Sequence, residues 1–255
     1  MQLSLSDVTS CAQRVEQGDP LRFKAVMSAR ADQRAALFVL YAFHVEVTRA
    51  PWAASEPMIA EMRLQWWWDA LEEIATGGIV RSHDVTVPLA HILSPDQARL
   101  LQRLVDARRW DCYKEAHSDA DALTLYLHET GAPLMQVAEE ITAGQSAVGA
   151  DVGYALAVAN YLQAIPALEA AGRVPLVDGR VEAVQDLAQG AWDRWQRAKR
   201  HKGTIEAAAL RSAWQVPLVL PRVIKQPALV AQGGAEPNAL RSALRLARVS
   251  LTNSW

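Results

Sequence analysis

The 255-residue sequence predicts an all-α fold. Three observations carry that reading. Half the residues, 51%, are hydrophobic, alanine and leucine are plentiful, and β-branched runs are few, so a large helical core can form. Apolar residues recur three and four apart rather than in alternation. Prolines and glycines fall where helices would start and stop. Helices this long and this apolar need one another for burial, which reads as a single domain over 1–255.

The central stretch is Arg34 to Ile74. Leu37, Leu40, Tyr41, His44, Val45 and Thr48 share one helical face. Pro51 and Pro57 bracket an elbow, because proline cannot continue a helix through its own position. Ser55 is the expected cap of the next helix, with Pro57 in its first turn. Ile59, Met62, Trp66, Ala70 and Ile74 form the expected inward stripe of that helix.

The remaining elements follow in order. Ser6 or Asp7 can cap a first helix that stops at Gly18, and Asp19-Pro20 starts a second. Asp32 can cap the central helix. Gly77-Gly78 ends the Trp-rich one. Ser94-Pro95-Asp96 starts a helix expected to reach about Ala116, with Leu100, Leu101, Leu104, Val105, Ala107 and Trp110 inward. Ser118 to Ala143 is a long helix with a kink expected at Gly131 to Pro133. Gly149 to Ala171 is another, closed by Gly172. Arg180 to about Lys202 is amphipathic, and the last helix runs from Pro237 to about Ser250. In that last helix Arg241, Arg245 and Arg248 form one stripe. Leu240, Leu244 and Ala247 form another, read either as a core face or as a membrane-surface or acidic-partner contact.

Bulk properties exclude several classes. A net charge of −2 gives no reason to expect nucleic-acid binding. Cys11 and Cys112 lie far apart in no metal-ligand spacing and read as reduced thiols of a cytoplasmic protein. No secretory signal or membrane-spanning run is apparent. No Ser-His-Asp order, phosphate loop or Cys/His cluster stands out.

Leu40, Tyr41, Ala42 and Phe43, followed by a polar helix end and a Trp-rich helix, resemble the first signature of the squalene/phytoene synthase family. That resemblance implies an isoprenoid synthase-like helical bundle around a central cavity. In active members an Asp-Asp-x-x-Asp cluster follows, and here its positions are Thr48, Arg49 and Trp52. The second signature frame is kept at Asn160, Leu162, Gly172, Arg173 and Leu176. Its acidic positions fall at Ala164, Ala167 and Leu168. Paired aspartates hold the magnesium that neutralises a departing diphosphate, and without carboxylates the ions have no anchor.

The resemblance therefore implies a relative with no catalytic or metal residues in those frames and no cofactor. Magnesium enters only under the alternative, an active prenyltransferase using non-standard residues. Arg22, Arg49 and Arg173 are candidates for a metal-free anion site, since guanidinium can hold phosphate directly. Pairing of Arg49 with Glu46 or Glu56 is the other reading. Tyr41, His44 and Asn160 complete the candidate ligand-binding set. Ser55 to Pro57 and Arg63 to Trp67 bring the sequence nearest to a family branch that acts in assembly of respiratory complex I. The partners so implied are a prenyl or other lipid, complex I subunits, or a membrane surface, and the location is cytoplasmic or peripheral to the inner membrane.

Overall fold

The computed structural model describes residues 3–201, 207–252 and 254–255. Twelve α-helices are placed among them, joined by 3-10 turns, with no strand among the described residues. The first is α1 (Leu5–Gly18), capped by Ser4 rather than by Ser6 or Asp7, with the Asp7 amide donating to the Ser4 hydroxyl. Helix α2 (Pro20–Met27) starts at Asp19, whose carboxylate accepts from the Arg22 amide. Helix α3 (Ala31–Arg49) has Arg30 at its cap position, so Asp32 lies in the first turn instead. More than one face of α3 is buried: Val39, Phe43 and Val47 join the expected Leu37, Leu40 and Tyr41. A helix apolar all round becomes a central rod.

The elbow is a 3-10 turn, Ala50–Trp52, and α4 (Pro57–Thr76) follows from Glu56, with no side-chain cap from Ser55. The inward stripe of α4 is Ala60, Leu64, Trp67, Leu71 and Ile74. Ala70 and Ile74 are buried as expected, whereas Met62 and Ile59 are exposed and Trp66 is half-buried, so the expected stripe departs from the observed one over the first half of the helix. The short α5 (Thr86–Ile92) leads to α6 (Pro95–Arg108), opened by a reciprocal Ser94–Gln97 capping box. Helix α6 stops eight residues before Ala116 and gives way to a 3-10 turn, Arg109–Cys112. That early stop places Arg108 and Asp111 in the site described below.

Helix α7 (Ala120–Ala143) runs through Pro133 as one helix, and α8 (Gly149–Ala170) packs along it. The two cross at Gly131 and Gly153. A methyl group on Gly153 would lie 2.4 Å from the Gly131 carbonyl oxygen and 2.9 Å from the Ala132 Cα. Gly131 is thus a close-approach residue. Glu139, near the end of α7 and only 1% exposed, turns to the start of α8. Its Oε2 accepts from the amides of Ala147, Val148 and Gly149 and from the Ser146 hydroxyl, at 2.7–3.1 Å. The carboxylate replaces the missing acceptors of a helix N-terminus and meets its positive dipole end.

Helices α9 (Val181–Lys199), α10 (Ala207–Leu210) and α11 (Val216–Lys225) close the second half. Lys202, the expected end of α9, lies outside the described residues. In α9, Val184, Ala191 and Trp195 are buried as expected, with Leu187 and Trp192 half-buried. Helix α12 (Ala239–Leu251) turns Val249 and Leu246 toward Trp214 and Ala25. Leu240 and Leu244 are exposed, so that stripe is not a core face. The buried residues form two large clusters, one around α3, α4 and α6 and one around α8, α9 and α11. Helix α7 contributes to both: Leu134, Val137 and Ala138 to one, Leu123, Leu127 and Met135 to the other.

Cys11 and Cys112 are both buried, and burial pushes each thiol up to about 11. No described helix is long and apolar enough to cross a membrane.

Candidate functional site

A cavity of about 320 Å³ lies between α3, α7 and α8. Its body is apolar, with Leu127, Leu134, Met135 and Leu156 around the Gly131–Gly153 crossing. Large side chains at that crossing would occupy the space. Polar and charged groups gather elsewhere on its wall: Arg22, His44, Arg108, Asp111, Tyr126, Asn160 and Arg173.

Both degenerate motif frames reach this cavity. Thr48 and Trp52 line it from α3 and the elbow, Ala164 and Leu168 from α8. Trp52 is half exposed, with the Arg173 guanidinium 4.3 Å over its ring. The two bulky side chains wall the cavity without filling it. Ala167 is exposed and outside the lining. Arg49 is also outside, at a separate cleft. It pairs with neither Glu46, which Arg14 binds, nor Glu56. Tyr41 is a core residue under the site, its hydroxyl 3.5 Å from the Ala209 carbonyl and from Ser212, with Arg22 4.8 Å over its ring. Arg49 and Tyr41 therefore do not line this cavity. Arg22, His44, Asn160 and Arg173 do.

Arg108, Asp111 and Tyr126 were not foreseen. The Arg108 Nη1 donates to Asp111 at 2.9 Å and to the Tyr126 hydroxyl at 3.2 Å, and that hydroxyl donates to Asp111 at 2.7 Å. Burial pushes the Tyr126 hydroxyl well above its ordinary range, so it stays protonated and a donor. An arginine and an aspartate three apart, flanked by Asp106, Arg109, Lys114 and Glu115, give no signal that sets them apart from a solvated face.

The arginines have a property in common. Arg173 gives Nη1 to the Tyr113 carbonyl and Nη2 to the Asp111 carbonyl, at 2.6 and 2.5 Å. Arg22 gives Nη1 to His44 at 2.9 Å and lies 3.4 Å from Asp19. In Arg22, Arg108 and Arg173 alike, the buried Nε–H has no hydrogen-bond partner among the described residues, although that of Arg22 is ion-paired with Asp19 at 3.4 Å. Such groups are costly unless something accepts from them.

Burial first, then the charges of Arg22 and Arg108, hold the His44 imidazole well below its ordinary range. It is neutral at pH 7. Its Nδ1 accepts from Arg22, which leaves the proton on Nε2, 3.4 Å from the Thr48 hydroxyl. In the unfolded chain the same imidazole takes up a proton near pH ~6.5. Stability is therefore full above that pH and falls as pH drops toward the depressed folded value, because the unfolded state binds the proton first. Urea unfolding between pH 7 and 5 should show this decline. The His44→Gln variant should flatten it, leaving the smaller contribution of His117, also depressed by burial.

Magnesium does not fit these residues. The cavity's two carboxylates are Asp19, committed to the α2 cap and Arg22, and Asp111, committed to Arg108 and Tyr126. No group of three or more His, Cys, Asp or Glu able to hold a metal occurs among the described residues.

The family model for squalene/phytoene synthase matches residues 15–237. The chain belongs to the squalene/phytoene synthase family. Among solved structures, this family member is similar to a dehydrosqualene synthase in complex with ligand. That match has a TM-score of 0.72 and 11% identity, covering 97% of this chain and 96% of the other. It is also similar to the squalene synthase HpnC from Alicyclobacillus acidocaldarius, with a TM-score of 0.59 and 18% identity, covering 97% and 94%. At such identities the likeness is one of fold, the all-α isoprenoid synthase-like bundle. No curated protein sequence matches it.

Proposed function

We propose that this family member binds a prenyl or other long-chain amphiphile with an anionic head, and does not perform magnesium-dependent prenyl transfer. The observation that supports this is the set of buried guanidiniums of Arg22, Arg108 and Arg173 around an apolar cavity, with the Nε–H groups of Arg108 and Arg173 unpartnered among the described residues. An apolar chain would lie along Leu127, Leu134 and Leu156, where its burial is favourable at about 25 cal/mol per Å². An anionic head would accept from the guanidiniums and relieve their desolvation. The non-acidic residues at Thr48, Trp52, Ala164 and Leu168 give a metal–diphosphate cluster no protein ligands.

Farnesyl diphosphate in the presence of a chelator should bind the protein, and Arg22→Gln should weaken binding about tenfold or more, the loss of one charge-assisted hydrogen bond. With magnesium restored, diphosphate release should not exceed a heat-treated control. Release in proportion to enzyme would overturn the non-catalytic part. Native mass spectrometry of protein from its own host should find a retained amphiphile, and consistently empty protein would count against a lipid-binding role.

A further inference from the structure

A second cleft, of about 480 Å³, opens beside the same elbow. Trp52 walls the central cavity, whereas Ala50 and Ala53 wall this one. Its cations are Arg14, Arg49 and Arg63, and its single carboxylate is Glu46. Arg14 occupies that carboxylate. Arg49 and Arg63 are exposed and have no hydrogen-bond or ion-pair partner among the described residues. The rest of the wall is aromatic. The Trp66 and Trp67 rings meet edge-on at 4.9 Å, and the His83 ring is 5.3 Å from each. His83 Nδ1 accepts from the Val85 amide, so its proton is on Nε2, a further donor.

We propose that this cleft binds a phosphate monoester, with the phosphate between Arg49 and Arg63 and the organic body against the indole wall. Two guanidinium forks offer more donors than one carboxylate can accept, and the three terminal oxygens of a phosphate monoester match them. An apolar or planar body would cover the exposed part of Trp66. Nothing in this site depends on the central cavity.

Phenyl phosphate, titrated calorimetrically at low salt, is the direct probe. The Arg49→Gln/Arg63→Gln double variant should bind it at least tenfold more weakly, while Arg241→Gln, an exposed arginine of α12 outside both cavities, should match the wild type. Both arginines are exposed and unpaired, so the thermal midpoint of the double variant should be unchanged. Flotation with phosphatidylcholine vesicles, with and without phosphatidic acid, separates the sources of the ester. Arg49- and Arg63-dependent capture by phosphatidic acid places the phosphate on a lipid, and binding of phenyl phosphate alone makes it a soluble ligand. Equal affinity in the double variant, an equal loss in Arg241→Gln, or binding to neither probe overturns the proposal.

Discussion

Glu139→Ala should lower the unfolding free energy by about 3 kcal/mol or more, among the largest costs of any single substitution in this chain. The carboxylate accepts four hydrogen bonds through one oxygen and is almost fully buried. Its removal would orphan the backbone amides at the start of α8, each costing about 1–3 kcal/mol when desolvated. The first-turn dipole would also lose its anion, worth about 1 kcal/mol. Neighbouring terms are not additive, so the sum is an upper bound. The fall should appear as a lower urea midpoint with an unchanged slope. Glu140→Ala is the control. Glu140 accepts one hydrogen bond, from Gln97, at a half-buried position, and should cost under about 1 kcal/mol. A Glu139→Ala variant as stable as Glu140→Ala would refute the account.

Gly153→Ala should be comparably damaging for a different reason. The new methyl meets backbone atoms of α7 at 2.4–2.9 Å, and backbone cannot rotate aside as a side chain can. The helices must separate along their closest contact, and overpacking of this kind costs about 1–3 kcal/mol or more. In a chain of this size each kcal/mol lowers the thermal midpoint by about 2–4 °C. A drop near 10 °C is expected, together with weaker retention of any cavity ligand, since both glycines line that space. Gly190→Ala, on α9 with open space around it, should instead gain about 0.4–1 kcal/mol through helix propensity. If the two alanine variants behaved alike, the crossing would not be tight.

Much of the helical layout was legible because its signals are local. Asp19-Pro20, Ser94-Pro95 and Gly77 act through their own turns, and the structure uses all three as expected. The inward stripe of α4 was misread because Ile59 and Met62 are apolar yet face outward beside the elbow, where burial and hydrophobicity disagree. Periodicity cannot see which side the neighbours occupy. Arg22, His44, Asn160 and Arg173 were reachable through motif frames, and the folded chain does bring them to one cavity. Arg49 falls outside that cavity, in the second cleft, because it adjoins Thr48 in the chain and one residue on a helix turns a side chain by about 100°. Arg108, Asp111 and Tyr126 were missed because their hydrogen bonds depend on where α6 ends, a boundary no cap residue marks. The role of Glu139 was missed too: it meets the next helix only once the α7–α8 turn has closed.

The two buried thiols carry a practical corollary. Both are buried and burial holds them up near 11, so alkylating reagents meet little accessible thiolate on the native protein. A cysteine placed at an exposed position such as Trp52 would then be the dominant reactive sulfur. A fluorophore attached there would report on the mouth of the cavity against a silent background.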